Sequence, residues 1–148
     1  MGKKYRVGII GFAHPHINHV ASMFAAHPQA EMVACADTVP LCPELRSVPY
    51  TREWNRNNVM RLAGITRCYE DYHAMLTSEK LDIVAINSEN NQHPDVVEAC
   101  ARAGVHVRVV YDWLGGFWRA SSRFWRRLRD EGVEVRAYNP PRLDSPLG

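Results

Sequence analysis

The fifteen residues Tyr5 to His19 (YRVGIIGFAHPHINH) constrain the fold of this chain more than any other stretch. A short apolar run (Val7, Ile9, Ile10) ends at Gly11, and an amphipathic helical pattern begins at Pro15. A buried strand that turns tightly into a helix gathers backbone N–H groups and the positive end of a helix dipole at one point. Such a point suits an anion, and inside a β-α-β unit it suits the pyrophosphate of a dinucleotide. Against the pattern G-x-G-x-x-G the chain reads Gly11-Phe12-Ala13-His14-Pro15-His16, which keeps only the glycine of the tight turn. Gly11 and Ala13 are small enough to let backbone approach phosphates. Phe12 lies between them, and His14 or His16 falls beside the same point.

The next twenty residues complete the β-α-β unit. Ile17, Val20, Ala21 and Phe24 recur at helical spacing, with Pro15 at a favoured first position, and His27-Pro28 stops the helix. Ala30 to Ala36 (AEMVACA) is a second apolar run, closed by Asp37. Asp37 lies 21 positions beyond His16, where a carboxylate can accept hydrogen bonds from the adenosine ribose hydroxyls and repel a 2′-phosphate. No arginine occurs from Thr38 to Leu45, so NAD is favoured over NADP. The competing role for Asp37 is to start the turn before Pro40.

Further along, a proline-rich polar stretch leads to a helix from about Arg52 to Ala63, closed by Gly64. Ile65 to Cys68 is a short strand, Asp71 to Leu76 a short helix, and Leu81 to Asn87 (LDIVAIN) an apolar strand. The polar loop Ser88-Glu89-Asn90-Asn91-Gln92-His93 precedes a helix opened by Pro94, and Val105 to Val110 reads as a fifth strand. Apolar strands alternating with helices predict an α/β fold: a doubly wound, Rossmann-like parallel sheet in three layers, with strand order 3-2-1-4-5-6. In that fold a ligand lies at the carboxyl ends of the strands, where the order reverses.

Length and composition fit one domain over residues 1–148, of ordinary globular character, with 46% hydrophobic and 23% charged residues. A net charge of +2 gives no ground for a nucleic-acid partner, and no run is long enough to span a membrane. The N-terminus leads straight into strand pattern, so the cytoplasm is the expected location. The four cysteines (Cys35, Cys42, Cys68, Cys100) show no C-x-x-C spacing, and three of them sit in apolar or strand-like contexts, which predicts buried, reduced thiols and not disulfides or a zinc site.

Several motifs in order (VGIIGFAHPH, VACAD, YEDYHAML before LDIVAI, and NSENNQHPDVVEACARAGVHV) resemble the nucleotide-binding half of the Gfo/Idh/MocA family, the glucose–fructose oxidoreductase and inositol dehydrogenase relatives. The resemblance covers about residues 5–108. It implies NAD(P) binding and hydride transfer to or from sugars or polyols in complete relatives. It also places Ser88, Glu89, Asn90 and His93 on the loop lining the far side of the cofactor cleft. The family continues with Glu-Lys-Pro, whose lysine sits near the nicotinamide, and with a second domain that carries the substrate pocket. Here Arg108-Val109-Val110-Tyr111-Asp112 stands instead, and no lysine follows Lys80. The resemblance therefore implies a chain that lacks that domain, can meet a substrate only with a complementing domain, and is catalytically incomplete. No catalytic residue is assigned. A non-catalytic nucleotide-binding or regulatory module remains the alternative, and homo-oligomer formation is open.

Two rival features remain. Phe117 to Asp130 carries five arginines, with Phe117, Ser121, Phe124 and Leu128 on one helical face. It reads first as an amphipathic helix docked on the sheet and second as a basic aromatic surface for a partner, an anionic membrane or a nucleic acid. His14, His16 and His19 form H-x-H-x-x-H after a strand, as at the metal site of amidohydrolase barrels. Such a barrel needs roughly 200 residues or more, so a metal site is not assigned.

Overall fold

The apolar runs of the first half become the strands of one parallel sheet. The computed structural model describes residues 2–112 and 121–138. In chain order these form β1 (Tyr5–Ile10), α1 (His16–Ala26), β2 (Ala30–Ala36), a single 3-10 turn (Pro43–Leu45), α2 (Arg52–Ala63), β3 (Arg67–Tyr69) and α3 (Tyr72–Ser78). They continue as β4 (Ile83–Ile86), α4 (His93–Arg102), β5 (Arg108–Asp112), α5 (Ser122–Asp130) and β6 (Glu134–Tyr138). The first four strands lie in the order β3-β2-β1-β4, every neighbouring pair parallel.

β1 is central, and Val7, Ile9 and Ile10 have no exposed surface. Its side chains alternate between two cores, as period-2 geometry requires. Ile9 packs with Phe12, Ile17, Ala21, Cys35 and Val59 beneath α1 and α2. Ile10 packs with Ala34, Ala36, Met75, Val96 and Cys100 beneath α3 and α4. Helices therefore cover both faces, which is the expected three-layer α/β architecture.

Local signals set the helix ends. The Thr51 hydroxyl accepts the Trp54 N–H at the start of α2, and Asp71 accepts the His73 N–H at the start of α3. Caps of this kind contribute about 0.5–2 kcal/mol each. Gly64, at φ 66°, closes α2 in the left-handed conformation. α1 differs, because Pro15 supplies no side-chain cap, and the Ile17 and Asn18 N–H groups donate to the His14 and Pro15 carbonyls at 3.2 and 3.1 Å.

The sheet departs from the expected order at one place. β5 and β6 pair with each other in a separate parallel ladder, and β5 is not hydrogen-bonded to β4. The chain leaving α4 explains the gap. The Val105 N–H turns back to the Cys100 carbonyl, at 3.0 Å, to close the helix, so β5 begins only at Arg108. Among the described residues no strand pairs with the outer edge of β4, and its residues are half-buried. A cavity of about 530 Å³ lies there, lined in part by Ile86, His93, Val97 and Val107.

The arginine-rich segment folds as the docked amphipathic helix. In α5, Leu128 is buried against Val97 and Val133, while Ser121 is the N-cap and not a core residue. Arg127 pairs with Glu98, and Arg102 reaches Glu131 at 2.8 Å. Phe117, Trp118 and Arg119 lie outside the described residues, as does the segment after Tyr138. The cysteine expectation holds for Cys35 and Cys100 and fails for Cys42 and Cys68, which are exposed. Cys42 belongs to the loop between β2 and α2, and Cys68 to the edge strand β3. A short edge strand and a polar loop cannot cover their side chains on every side.

Candidate functional site

The turn after β1 is held from several directions. The Gly11 N–H donates to the Ala36 carbonyl (3.0 Å), the Asn87 N–H to Ile10 (2.8 Å), and the Ala13 N–H to Asn87 (3.1 Å). The Asn87 side chain donates to the His14 carbonyl (2.8 Å), and Asn55 of α2 donates to the Phe12 carbonyl (3.1 Å). Asn55 is itself fully buried and accepts from Asn18 (2.8 Å). Gly11 has φ 89°, and a Cβ placed on it would come within 2.4 Å of the Ser88 backbone nitrogen. Only glycine fits here, so the one fingerprint glycine that the chain keeps is the one its backbone requires.

The expected site residues do not all serve alike. Phe12 is wholly buried in the core beneath α1 and α2, so only its backbone belongs to the turn. His14 and His16 are exposed at the start of α1 with their rings stacked, centroids 4.9 Å apart. His19 is exposed further along the same helix.

Asp37 sits at the carboxyl end of β2, 5% exposed. Its Oδ1 accepts the Thr38 N–H at 2.8 Å and pairs with the Arg52 guanidinium, while its buried Oδ2 has no partner. Burial pushes the Asp37 carboxyl above its ordinary range, and the Thr38 N–H and Arg52 oppose that shift. The other arm of Arg52 pairs with Glu89, whose carboxylate also accepts the Thr38 hydroxyl at 3.2 Å. Glu89 thus turns across the cleft toward β2.

Arg52 is the site residue that sequence reasoning misses. Thr38 to Leu45, the stretch where a cation beyond Asp37 is expected, holds no arginine, and Arg52 opens the helix that returns to the end of β2. The Thr51 cap with its Arg52 start is the one available signal.

Ser88 is buried, with its hydroxyl unpartnered, and Asn90 is exposed. His93 opens α4 and faces the cavity between β4 and β5, its Nε2 buried without a partner. Three buried polar atoms (Asp37 Oδ2, Ser88 Oγ, His93 Nε2) therefore stand unsatisfied just beyond β2 and β4. Each such atom costs about 1–3 kcal/mol unless something pairs with it. Asp37 and Ser88 follow the carboxyl ends of β2 and β4, the end of the sheet where this fold places a ligand, whereas His93 lines the cavity between β4 and β5.

A family model described as an oxidoreductase family with an NAD-binding Rossmann fold matches residues 5–109. The chain belongs to the Gfo/Idh/MocA family. An oxidoreductase from Agrobacterium radiobacter, solved with NAD+, L-tartaric acid and magnesium, superposes with TM-score 0.64 at 16% identity, over 92% of this chain and 35% of that one. Scyllo-inositol dehydrogenase from Lactobacillus casei, solved with NAD(H) and scyllo-inositol, gives TM-score 0.63 at 18% identity, over 91% of this chain and 36% of that one. This Gfo/Idh/MocA chain thus spans about a third of the length of these structures. At such identities the likeness establishes the fold. A cardiolipin synthase from Alkalihalophilus pseudofirmus is 39% identical over 61 residues, 41% of this chain and 12% of that protein. A stretch that small carries no functional argument. Among the described residues, no helix is long and apolar enough to cross a membrane, and no group of three or more His, Cys, Asp or Glu residues could hold a metal ion.

Proposed function

We propose that this domain binds NAD across the switch point between β1 and β4, with Asp37 as the ribose-binding carboxylate. The buried, unpartnered Asp37 Oδ2 supports this most directly, because a ribose hydroxyl is the donor it lacks. The turn at Gly11 and the uncapped start of α1 would receive the pyrophosphate, with His14 and His16 beside it. Ser88, Glu89 and Asn90 would line the opposite wall, and His93 faces the side where the nicotinamide would lie.

NAD is favoured over NADP despite Arg52. The guanidinium is already shared between Asp37 and Glu89. The three groups together carry one net negative charge, which opposes a 2′-phosphate.

NAD(H), when bound, supplies hydride acceptance or donation. The protein's part is to orient it and exclude water. A sugar or polyol substrate, as in the inositol dehydrogenases, would need a complementing domain, since no lysine follows Lys80 in the stretch where relatives carry Glu-Lys-Pro. That same absence supports a second reading, a non-catalytic module that senses NAD(H) or pairs with other subunits.

Calorimetric titration of the purified chain with NAD and NADH tests the proposal. Saturable binding that Asp37→Ala weakens at least tenfold supports it, and no binding by a folded protein removes it. Turnover of a polyol by this chain alone would overturn the view that catalysis is incomplete.

A further inference from the structure

A second chemically distinct feature lies beneath α2, on the face of β2 that carries the first core. Cys35 of β2 and Cys68 of β3 are directly registered partners in the parallel ladder. Adjacent strands lie about 4.7–4.9 Å apart. That spacing falls inside the range of about 4.4–6.8 Å at which two Cα atoms can be bridged by a disulfide. Registered residues of a parallel pair point to the same face, so the two side chains are neighbours there. Cys35 is wholly buried, whereas Cys68 is exposed at the sheet edge. One thiol is therefore open to solvent, and the other is shielded behind it.

The surroundings divide the pair further. Arg56 of α2 places its positive charge near Cys68, where it favours the thiolate. Among the described residues Arg56 has no carboxylate partner, and its buried Nε is unsatisfied, so its charge is left for a thiolate. The neighbouring Cys35 thiol first, and Arg56 after it, hold the Cys68 thiol below the ordinary range, against the burial and Asp37 that raise it. Cys35 is pushed the opposite way, by its contact with Cys68 and by burial. The remaining cysteines are unlike this. Cys42 is exposed, but its thiol donates to Glu44 at 2.9 Å and is pushed up, and burial raises Cys100 to about 12.

We propose that Cys35 and Cys68 form a hydroperoxide-reactive dithiol that closes reversibly into a disulfide between β2 and β3. The Cys68 thiolate attacks the distal oxygen of a hydroperoxide, the O–O bond breaks, and the leaving oxygen departs with a proton as water or an alcohol. Cys68 becomes a sulfenic acid. Cys35 then attacks the Cys68 sulfur, its proton leaves with the hydroxyl as water, and the S–S bond forms. The two sulfurs lose two electrons in total and the peroxide gains them. A thiol reductant reverses the change. Cys35 is two residues before Asp37, so the crosslink would form beneath the candidate ribose carboxylate. The chemistry does not depend on whether that carboxylate binds NAD.

The test uses the full chain treated with limiting hydrogen peroxide at neutral pH, followed by non-reducing peptide mapping by mass spectrometry. The expected result is one crosslink joining the Cys35 and Cys68 peptides, formed at least tenfold faster than any oxidation at Cys42 and removed by dithiothreitol. In Cys35→Ser, Cys68 should stop at a sulfenic acid that a cyclic 1,3-dione traps. Arg56→Gln should slow the reaction severalfold. Oxidation of Cys68 no faster than Cys42, or oxidation of Cys68 in the native chain without the link to Cys35, overturns the proposal. Peptide mapping of the native chain decides the matter even if a variant fails to fold.

Discussion

Replacing Gly11 with alanine tests the site and the fold together. Two costs add at this position. A non-glycine residue held at φ 89° is in a sparsely populated region, which costs about 1–3 kcal/mol. The new Cβ would also meet the Ser88 nitrogen at 2.4 Å, and that contact is with backbone, which cannot rotate away. Overpacking of this kind adds about 1–3 kcal/mol. Together these remove about 2–6 kcal/mol from a native stability that is about 5–15 kcal/mol for a typical domain. Gly64→Ala is the internal control, because Gly64 has φ 66° but nothing within 4 Å of an added Cβ. It should lose only the conformational part, about 1–2 kcal/mol. Urea unfolding followed by circular dichroism reads both variants. With a slope of about 1–3 kcal/mol per molar, the Gly11→Ala midpoint should fall by about 1 M or more at unchanged slope. If Gly11→Ala and Gly64→Ala agree within about 0.5 kcal/mol, the close approach of the two loops is refuted.

Three further outcomes are expected. Because burial raises the Asp37 carboxyl, NAD affinity should fall with decreasing pH through a window above the ordinary value of 3.8, and Asp37→Asn should flatten that dependence in a titration series. The sign for folding is opposite: a raised carboxyl favours the folded state at low pH, and that contribution disappears as pH rises from the unfolded value through the folded one. Asp37→Ser should release Arg52 and shift the ratio of NAD to NADP dissociation constants toward NADP by tenfold or more, and an unchanged ratio would show that Arg52 cannot reach a 2′-phosphate. Leu128→Ala should destabilise by about 2–5 kcal/mol in the same urea assay if α5 is docked through that side chain.

Much of the fold was legible because burial patterns are local. The β2 bounds were legible from an apolar run, and the end of α2 from Gly64. The split of the sheet was not legible, since Val105 to Val107 carry β-branched residues that suit a strand but leave α4 in a turn. At the candidate site, the positions of Gly11 in the turn after β1 and of Asp37 at the end of β2 were legible, because a tight turn and a strand end leave fixed spacings. Arg52 was not, because it lies 15 positions beyond Asp37 and its charge meets that carboxylate only through the path of the intervening loop.

The sequence alone determined that this chain is a parallel α/β domain with a glycine turn after its first strand and an acidic end to its second. Those properties follow from periodicity, glycine geometry and spacing, which act over a few residues. The tertiary structure decided which atoms are left wanting. It closed Arg52 over Asp37 and Glu89, left Asp37 Oδ2 and the Ser88 hydroxyl buried without partners, and brought Cys35 beside Cys68. Such pairings depend on which strands become neighbours and where a helix begins in space, and residues far apart in sequence meet only when the sheet is assembled.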